Sequence, residues 1–243
     1  VGTALRTLNK LVSPCRIHLS ASADYPAKEL AHKDARDAGC SEDTDAYTHQ
    51  TREAPKEAIK NTPFRTAGGH IHLGCPEGPL ANSIEIPLVV YALDLFVGVP
   101  SLFVDRCPLS KERRQLYGKA GSYREKEYGL EYRVLGPFWH RSPSTVKLFY
   151  NLSLFAVDWV RRGDVYRYWD VDEEKLFAGQ HSKAYRCIGY DSKLLAKTIN
   201  NYDMENAEKF LMLLEMLLPV DLYADLTRER EVQPDLYEAW ALT

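Results

Sequence analysis

Two short segments constrain this chain more than any others. Residues His70 to Leu73 and Leu130 to Leu135 alternate polar with apolar side chains, the period-two pattern of a strand with one buried face. His70 and His72 then share one face of the first strand, and Glu131 and Arg133 one face of the second. Leu130, Tyr132 and Val134 turn the other way, toward a core. Two such faces side by side would gather imidazole, carboxylate and guanidinium groups in one place. Those groups suit a metal–nucleotide complex: carboxylate and imidazole take a divalent cation, and planar guanidinium forks take phosphate oxygens. Gly68, Gly69 and Gly74 bracket the histidine pair and leave room for a ligand or a tight turn. Arg65 and Arg124, each close to a glycine, add two further forks. Either pair alone has a plainer reading, as a solvated or core-satisfied His-x-His and a surface ion pair.

Elsewhere the pattern is mostly helical. Leu5, Leu8, Leu11 and Val12 mark a helix at the very start; the chain opens without Met and inside that helix, so residues upstream are expected. Cys15 to Ala23 alternates and reads as a half-buried strand, with Ile17, Leu19 and Ala21 inward. Residues 24–63 are polar and aperiodic, which suits a long loop around a site. Ala81 to Val97 is an apolar-rich helix, including Ile84, ended by Gly98 and Pro100. Ser110 to Tyr117 is a short basic helix with Ser110 as its cap. It leads into a glycine-rich turn, Gly118-Lys-Ala-Gly-Ser122, whose spacing is too short for a phosphate-binding loop. Pro143 to Arg162 and Asp203 to Leu218 are long helices, so residues 141–243 form the helical C-terminal part of a single domain, 1–243.

Composition excludes several classes. With 45% hydrophobic residues in 243, one substantial core is available. A net charge of -3 provides no general basic field, so no nucleic acid partner is expected. Five scattered cysteines (Cys15, Cys40, Cys75, Cys107 and Cys187) without a Cys-x-x-Cys pair fit a reducing, cytoplasmic setting. There is no run of about 18 apolar residues and no signal-peptide pattern, so no membrane association is expected. Trp139, Trp159, Trp169 and Trp240 are not interleaved with a basic stripe and read as packing residues.

Three segments, in order, carry a resemblance: Arg65-Thr-Ala-Gly-Gly-His-Ile-His-Leu-Gly74, Leu116-Tyr-Gly-Lys-Ala-Gly-Ser-Tyr-Arg124 and Tyr128-Gly-Leu-Glu-Tyr-Arg-Val-Leu-Gly136. They resemble the signature segments of the type 2 amidoligases of tailed-phage genomes. Leu19-Ser-Ala-Ser-Ala23, Ala38-Gly-Cys40 before an acidic run, and the helical tail after Phe138-Trp139 resemble the same family, so the likeness covers most of the chain. That family is related to the glutamine synthetases and glutamate–cysteine ligases. The resemblance implies an α+β fold: an antiparallel sheet of the glutamine-synthetase catalytic type, with packed helices and a helical C-terminal region. It also implies an ATP-dependent carboxylate-amine ligase, in which a carboxylate takes the terminal phosphoryl group and an amine then displaces phosphate.

By the same resemblance, His70 is a metal-binding histidine, His72 reaches the nucleotide phosphates, and Glu131 is a metal-binding glutamate. Arg133 is the substrate or phosphate arginine, Arg124 a second catalytic and phosphate-neutralising arginine, and Arg65 and Lys119 are nucleotide-binding candidates. The implied cofactors are ATP with Mg2+, or Mn2+ in its place. The implied partners are small-molecule or peptide carboxylate and amine substrates, in a homo-oligomer such as related enzymes build. The sequence departs from the family at one point. Relatives carry an early hairpin with paired acidic residues that hold metals, and nothing upstream of Val1 supplies it; one glutamate and one histidine hold magnesium poorly. A fragment of a longer product, or a homologue without turnover, would each account for this, and the start inside a helix favours the first. Two other readings stand beside the ligase. One is a non-catalytic binding or structural protein on the same fold. The other is a metal-dependent hydrolase using His70 and His72, which lacks a further His and Asp cluster, His140 and His181 being isolated.

Overall fold

The computed structural model describes residues 1–37, 42–60, 62–74, 80–81, 85–165 and 191–242. Its centre is one continuous helical stretch, Ile86–Val104, built from α3 (Ile86–Leu93), a π turn (Asp94–Gly98) and α4 (Val99–Val104). At 19 residues and a mean hydropathy of 1.9 it is long and apolar enough, by length and composition alone, to cross a membrane, although Asp94 interrupts its apolar run. All of it is buried inside the fold, which makes it a core helix. Gly98 and Pro100 do not end it. The π turn restarts the hydrogen-bond pattern, so Pro100 falls in the first turn of α4, where its missing N–H is not needed.

A five-stranded antiparallel sheet lies against this stretch, in the order β3-β2-β6-β7-β5. Its strands are β2 (Asp43–Asp45), β3 (Thr51–Arg52), β5 (Ile71–Gly74), β6 (Ser122–Lys126) and β7 (Gly129–Tyr132). One face turns Leu73, Tyr123, Leu130 and Tyr132 into the core with α3. A separate two-stranded pair joins β1 (Ser22–Asp24) to β4 (Phe64–Thr66). The outer helical layer comprises α6 (Pro143–Arg161), α7 (Ser192–Asn201), α8 (Met204–Leu217) and α9 (Val220–Glu231). The N-cap Ser142 accepts a bond from the Thr145 amide ahead of Pro143, and Asp191 and Asp203 cap α7 and α8 in the same way. Such caps contribute about 1 kcal/mol each. At the chain ends α1 (Gly2–Val12) meets α10 (Leu236–Trp240).

The structure therefore mixes helices with antiparallel sheets. Several elements differ from the sequence expectation. The strand read over Cys15–Ala23 shrinks to β1, because residues 16–20 find no partner strand. The stretch 24–63, expected as a loop, carries β2, β3 and the short helix α2 (Lys56–Lys60). The turn running to Arg124 yields β6, and β7 stops at Tyr132 rather than Leu135. In α5 (Ser110–Leu116) the Ser110 hydroxyl donates to Asp105 Oδ2 at 2.7 Å instead of capping the helix. Ile84, Trp169, His181, Cys40, Cys75, Cys187 and the Ala38-Gly-Cys40 segment lie outside the described residues.

Candidate active site

The sheet's register turns scattered polar residues into rows. Asp43 pairs with Arg52, Arg124 with Glu131, and Glu131 with His72, while the β2–β6 register places Asp43 next to Arg124. One row thus crosses the whole sheet: Arg52, Asp43, Arg124, Glu131, His72. Two residues further along, on the same face, lie Asp45, Ser122, Arg133 and His70. Because side chains alternate across a strand, all of these point away from the core.

Glu131, only 4% exposed, is the hub. Its Oε1 lies 2.5 Å from Arg133 Nη1 and 2.8 Å from His70 Nδ1, and its Oε2 lies 3.0 Å from Lys126 Nζ and 3.8 Å from Arg124 Nη1. Asp43 Oδ1 sits 2.6 Å from Arg133 Nε and 3.4 Å from Arg124 Nε. Arg52 pairs with Asp45 and donates to the Ser122 hydroxyl at 2.7 Å and the Ala120 carbonyl at 3.0 Å. Burial pushes the Glu131 carboxyl up, but Lys126 and Arg133 outweigh it and hold the group down at about 2. Burial and then the Arg133 charge bring His70 down to about 4, so its imidazole is neutral near pH 7. Burial raises the Asp43 carboxyl above its ordinary value, against the pull of Arg133 and Arg124.

The structure brings His70, Arg124, Glu131 and Arg133 together as one contact network. His72 shares the row but turns its Nδ1 to the Tyr128 hydroxyl, 2.5 Å away in the exposed β6–β7 turn. Lys119 stands to one side, in a cleft of about 240 Å³ lined also by Asp43, Arg52, Glu53, Tyr117 and Ser122. Arg65 is not brought to this face. On β4 its Nε donates to the Ala35 carbonyl at 2.9 Å and its Nη1 to the carbonyls of Thr62 and Phe64 at 2.8 and 2.7 Å. It is a staple that ties β4 to Ala35, which precedes β2, and to Thr62, which lies between β3 and β4.

Sequence reasoning missed Asp43, Asp45, Arg52 and Lys126. The signal was weak, since Asp43-Thr-Asp45 is polar throughout and three residues inside an acidic run do not stand out as a strand. The donor set does not fit a divalent cation. Among the described residues no group of three or more His, Cys, Asp or Glu could hold a metal, and the oxygens of Glu131 already face cations and an imidazole, whereas hard cations take six or more oxygen ligands. The cations suit anionic oxygens instead, with two guanidinium groups and an ammonium converging within 4 Å of one carboxylate.

A family described as phage phiEco32-like COOH.NH2 ligase-type 2 matches residues 58–242, about three quarters of the chain. The match includes β5, β6 and β7 with His70, His72, Arg124, Glu131 and Arg133, while β2 and β3 precede it. No curated protein and no solved structure matches the chain.

Proposed function

Because the chain belongs to the phage phiEco32-like COOH.NH2 ligase-type 2 family, we propose that it joins a carboxylate to an amine at the expense of ATP, through an acyl phosphate. A substrate carboxylate oxygen attacks the terminal phosphorus of ATP, and ADP leaves. The amine nitrogen then attacks the acyl carbon, the bond from that carbon to the phosphate oxygen breaks, and the nitrogen loses a proton as the amide forms.

One observation carries this reading: the convergence of Arg124, Lys126 and Arg133 on Glu131 across the sheet. Phosphoryl transfer spreads negative charge over the transferring oxygens, and catalysis of it is mostly positioning and charge stabilisation. Arg124, Lys126 and Arg133 are held in place before any substrate arrives, so an incoming phosphate meets oriented donors. Their carboxylate partners hold them until an anion competes for them. Near pH 7 His70, neutral and held by Glu131, adds a hydrogen-bonding group without adding charge. The cleft beside Lys119 is smaller than the roughly 300–1,000 Å³ of drug-sized sites. Such a volume suits a small substrate better than a whole nucleotide, which supports a place for Lys119 beside the substrate.

A second reading rests on an observation of its own. The acids of the charged face are saturated by internal cations and the donor set does not fit a divalent ion, which would suit a protein that binds an anion without turning it over. ADP release measured with ATP and pooled amines and carboxylates separates the two. Release that requires both pools supports the ligase, and nucleotide binding without release supports the binding protein.

A further inference from the structure

Asp94 is the single charged residue in the buried stretch Ile86–Val104, and it is fully buried. A carboxylate taken out of water is expensive unless donors meet it. Here three do: Oδ1 accepts from the Tyr132 hydroxyl at 2.7 Å, and Oδ2 accepts from the Tyr47 hydroxyl at 2.8 Å and the Gly121 amide at 2.7 Å. The three donors lie on or beside three different strands of the charged face. Tyr47 follows Asp43 and Asp45 of β2, Gly121 immediately precedes β6 with Arg124 and Lys126, and Tyr132 lies between Glu131 and Arg133. Tyr132 points into the core where its two neighbours point out, so holding the tyrosine from below fixes how far Glu131 and Arg133 stand above the sheet.

The local geometry makes room for this arrangement. A Cβ at Gly98, in the same π turn as Asp94, would lie 3.0 Å from the Tyr132 hydroxyl. Gly121 has φ +75°, and a Cβ there would come within 2.7 Å of the Tyr47 ring and 3.0 Å of Asp45 Oδ1. Glycine at both positions lets the donors close on the carboxylate. The same helix grips the hairpin once more, where the Tyr91 hydroxyl donates to the Ala46 carbonyl. Such anchoring matters at β2, which meets β6 through only two register pairs, Thr44 with Tyr123 and Asp45 with Ser122. An apolar residue at position 94 would fill the core without tying these strands together.

We infer that Asp94 is a positioning residue for the ligase site: from beneath the sheet its carboxylate sets the Asp43, Arg124 and Glu131–Arg133 strands in fixed relation. That the site is a ligase site rests on the function proposed above. Tyr47→Phe removes one hydroxyl and keeps the ring. Asp94→Asn keeps the shape, with a carbonyl for the Tyr47 and Gly121 donors and an amide from which the Tyr132 hydroxyl can accept. Asp94→Ala removes all three bonds. Each is measured at a temperature where near-ultraviolet circular dichroism shows a folded protein, by residue-resolved hydrogen exchange and by ADP release.

Tyr47→Phe is expected to speed exchange of the Asp45, Ala46 and His49 amides about tenfold, as loss of one charge-assisted bond implies, while the β5–β7 amides stay as in wild type. The ADP-release kcat falls by about the same factor. Asp94→Ala exceeds both effects, and Asp94→Asn restores most of the protection. If Asp94→Ala does not fold, Tyr47→Phe and Asp94→Asn decide. Wild-type hairpin exchange in Tyr47→Phe, or faster exchange spread evenly over the sheet, overturns the inference, because a merely structural group would loosen everything alike. Absence of ADP release from the wild type counts against the ligase reading alone, and the exchange pattern still decides the role of Asp94.

Discussion

Two buried carboxylates face each other through one sheet and are held in opposite ways. Glu131, on the charged face, is surrounded by Lys126, Arg133, Arg124 and His70, and its carboxyl is held down at about 2. Asp94, under the same strands, is met by neutral donors alone, two tyrosine hydroxyls and a backbone amide, and burial pushes its carboxyl up to about 6. Hydrogen bonds satisfy a buried acid, but only nearby cations repay the desolvation of its charge. One side of the sheet is therefore an ionic surface prepared to exchange partners with an incoming anion. The other is a hydrogen-bonded framework of neutral donors around one acid that fixes where that surface lies.

The largest expected effect comes from removing the ionic hub. Glu131→Ala leaves Arg133, Lys126 and Arg124 facing one another and is expected to cost about 3–5 kcal/mol. Asp94→Asn, which keeps a partner for each donor, is expected to stay within about 1 kcal/mol near pH 7. Chemical denaturation of both variants checks this, and equal losses would break the comparison.

The next effect is in pH, and the two acids have opposite signs. Asp94 binds its proton more tightly folded than unfolded. Its contribution to stability is present below its ordinary value of 3.8 and is lost as pH rises through about 6. Wild type should therefore lose up to about 3 kcal/mol relative to Asp94→Asn between about pH 4 and 7. Glu131 behaves in reverse: its contribution is present above 4.5 and is lost as pH falls through about 2. His70, lowered to about 4, likewise contributes above 6.5 and loses that contribution as pH falls through about 4. Melting curves of wild type, Asp94→Asn and Glu131→Gln across this range test the signs, and parallel curves would show that the two environments do not differ.

The smallest effect sharpens the boundary of the site. Arg65→Met removes the staple that ties β4 to Ala35 and Thr62 and is expected to cost about 1–2 kcal/mol. It should leave ATP affinity unchanged by fluorescence titration. A tenfold loss of affinity would place Arg65 among the nucleotide-binding residues.

The two sides of the sheet also differed in how far the sequence disclosed them. His70, Glu131 and Arg133 were legible because polar and apolar residues alternate around them and glycines flank the histidines, a local pattern that needs no tertiary knowledge. The long helices α6 and α8 were legible for the same reason, through their periodic apolar faces. Asp43, Asp45 and Arg52 were hidden because strands of three and two residues carry too little periodicity, and their role depends on a register set by partners about 80 residues away. The carbonyl contacts of Arg65 were hidden because a guanidinium beside a glycine looks the same whether it awaits phosphate or holds carbonyls. Asp94 gave only the oddity of one acid in an apolar helix; its three donors come from separate parts of the chain. The helix end expected at Gly98 failed because a π turn shifts the frame in which Pro100 is read.

The central claim is that the charged face performs ligation, and ADP release from magnesium-ATP with pooled amines and carboxylates tests it most directly, comparing wild type with Glu131→Gln in the folded range of both. The account predicts release that requires both pools and falls about a hundredfold in the variant, as loss of a charge-assisted positioning partner implies. Release that is indifferent to the pools or to Glu131, or ATP bound and never turned over, would contradict it.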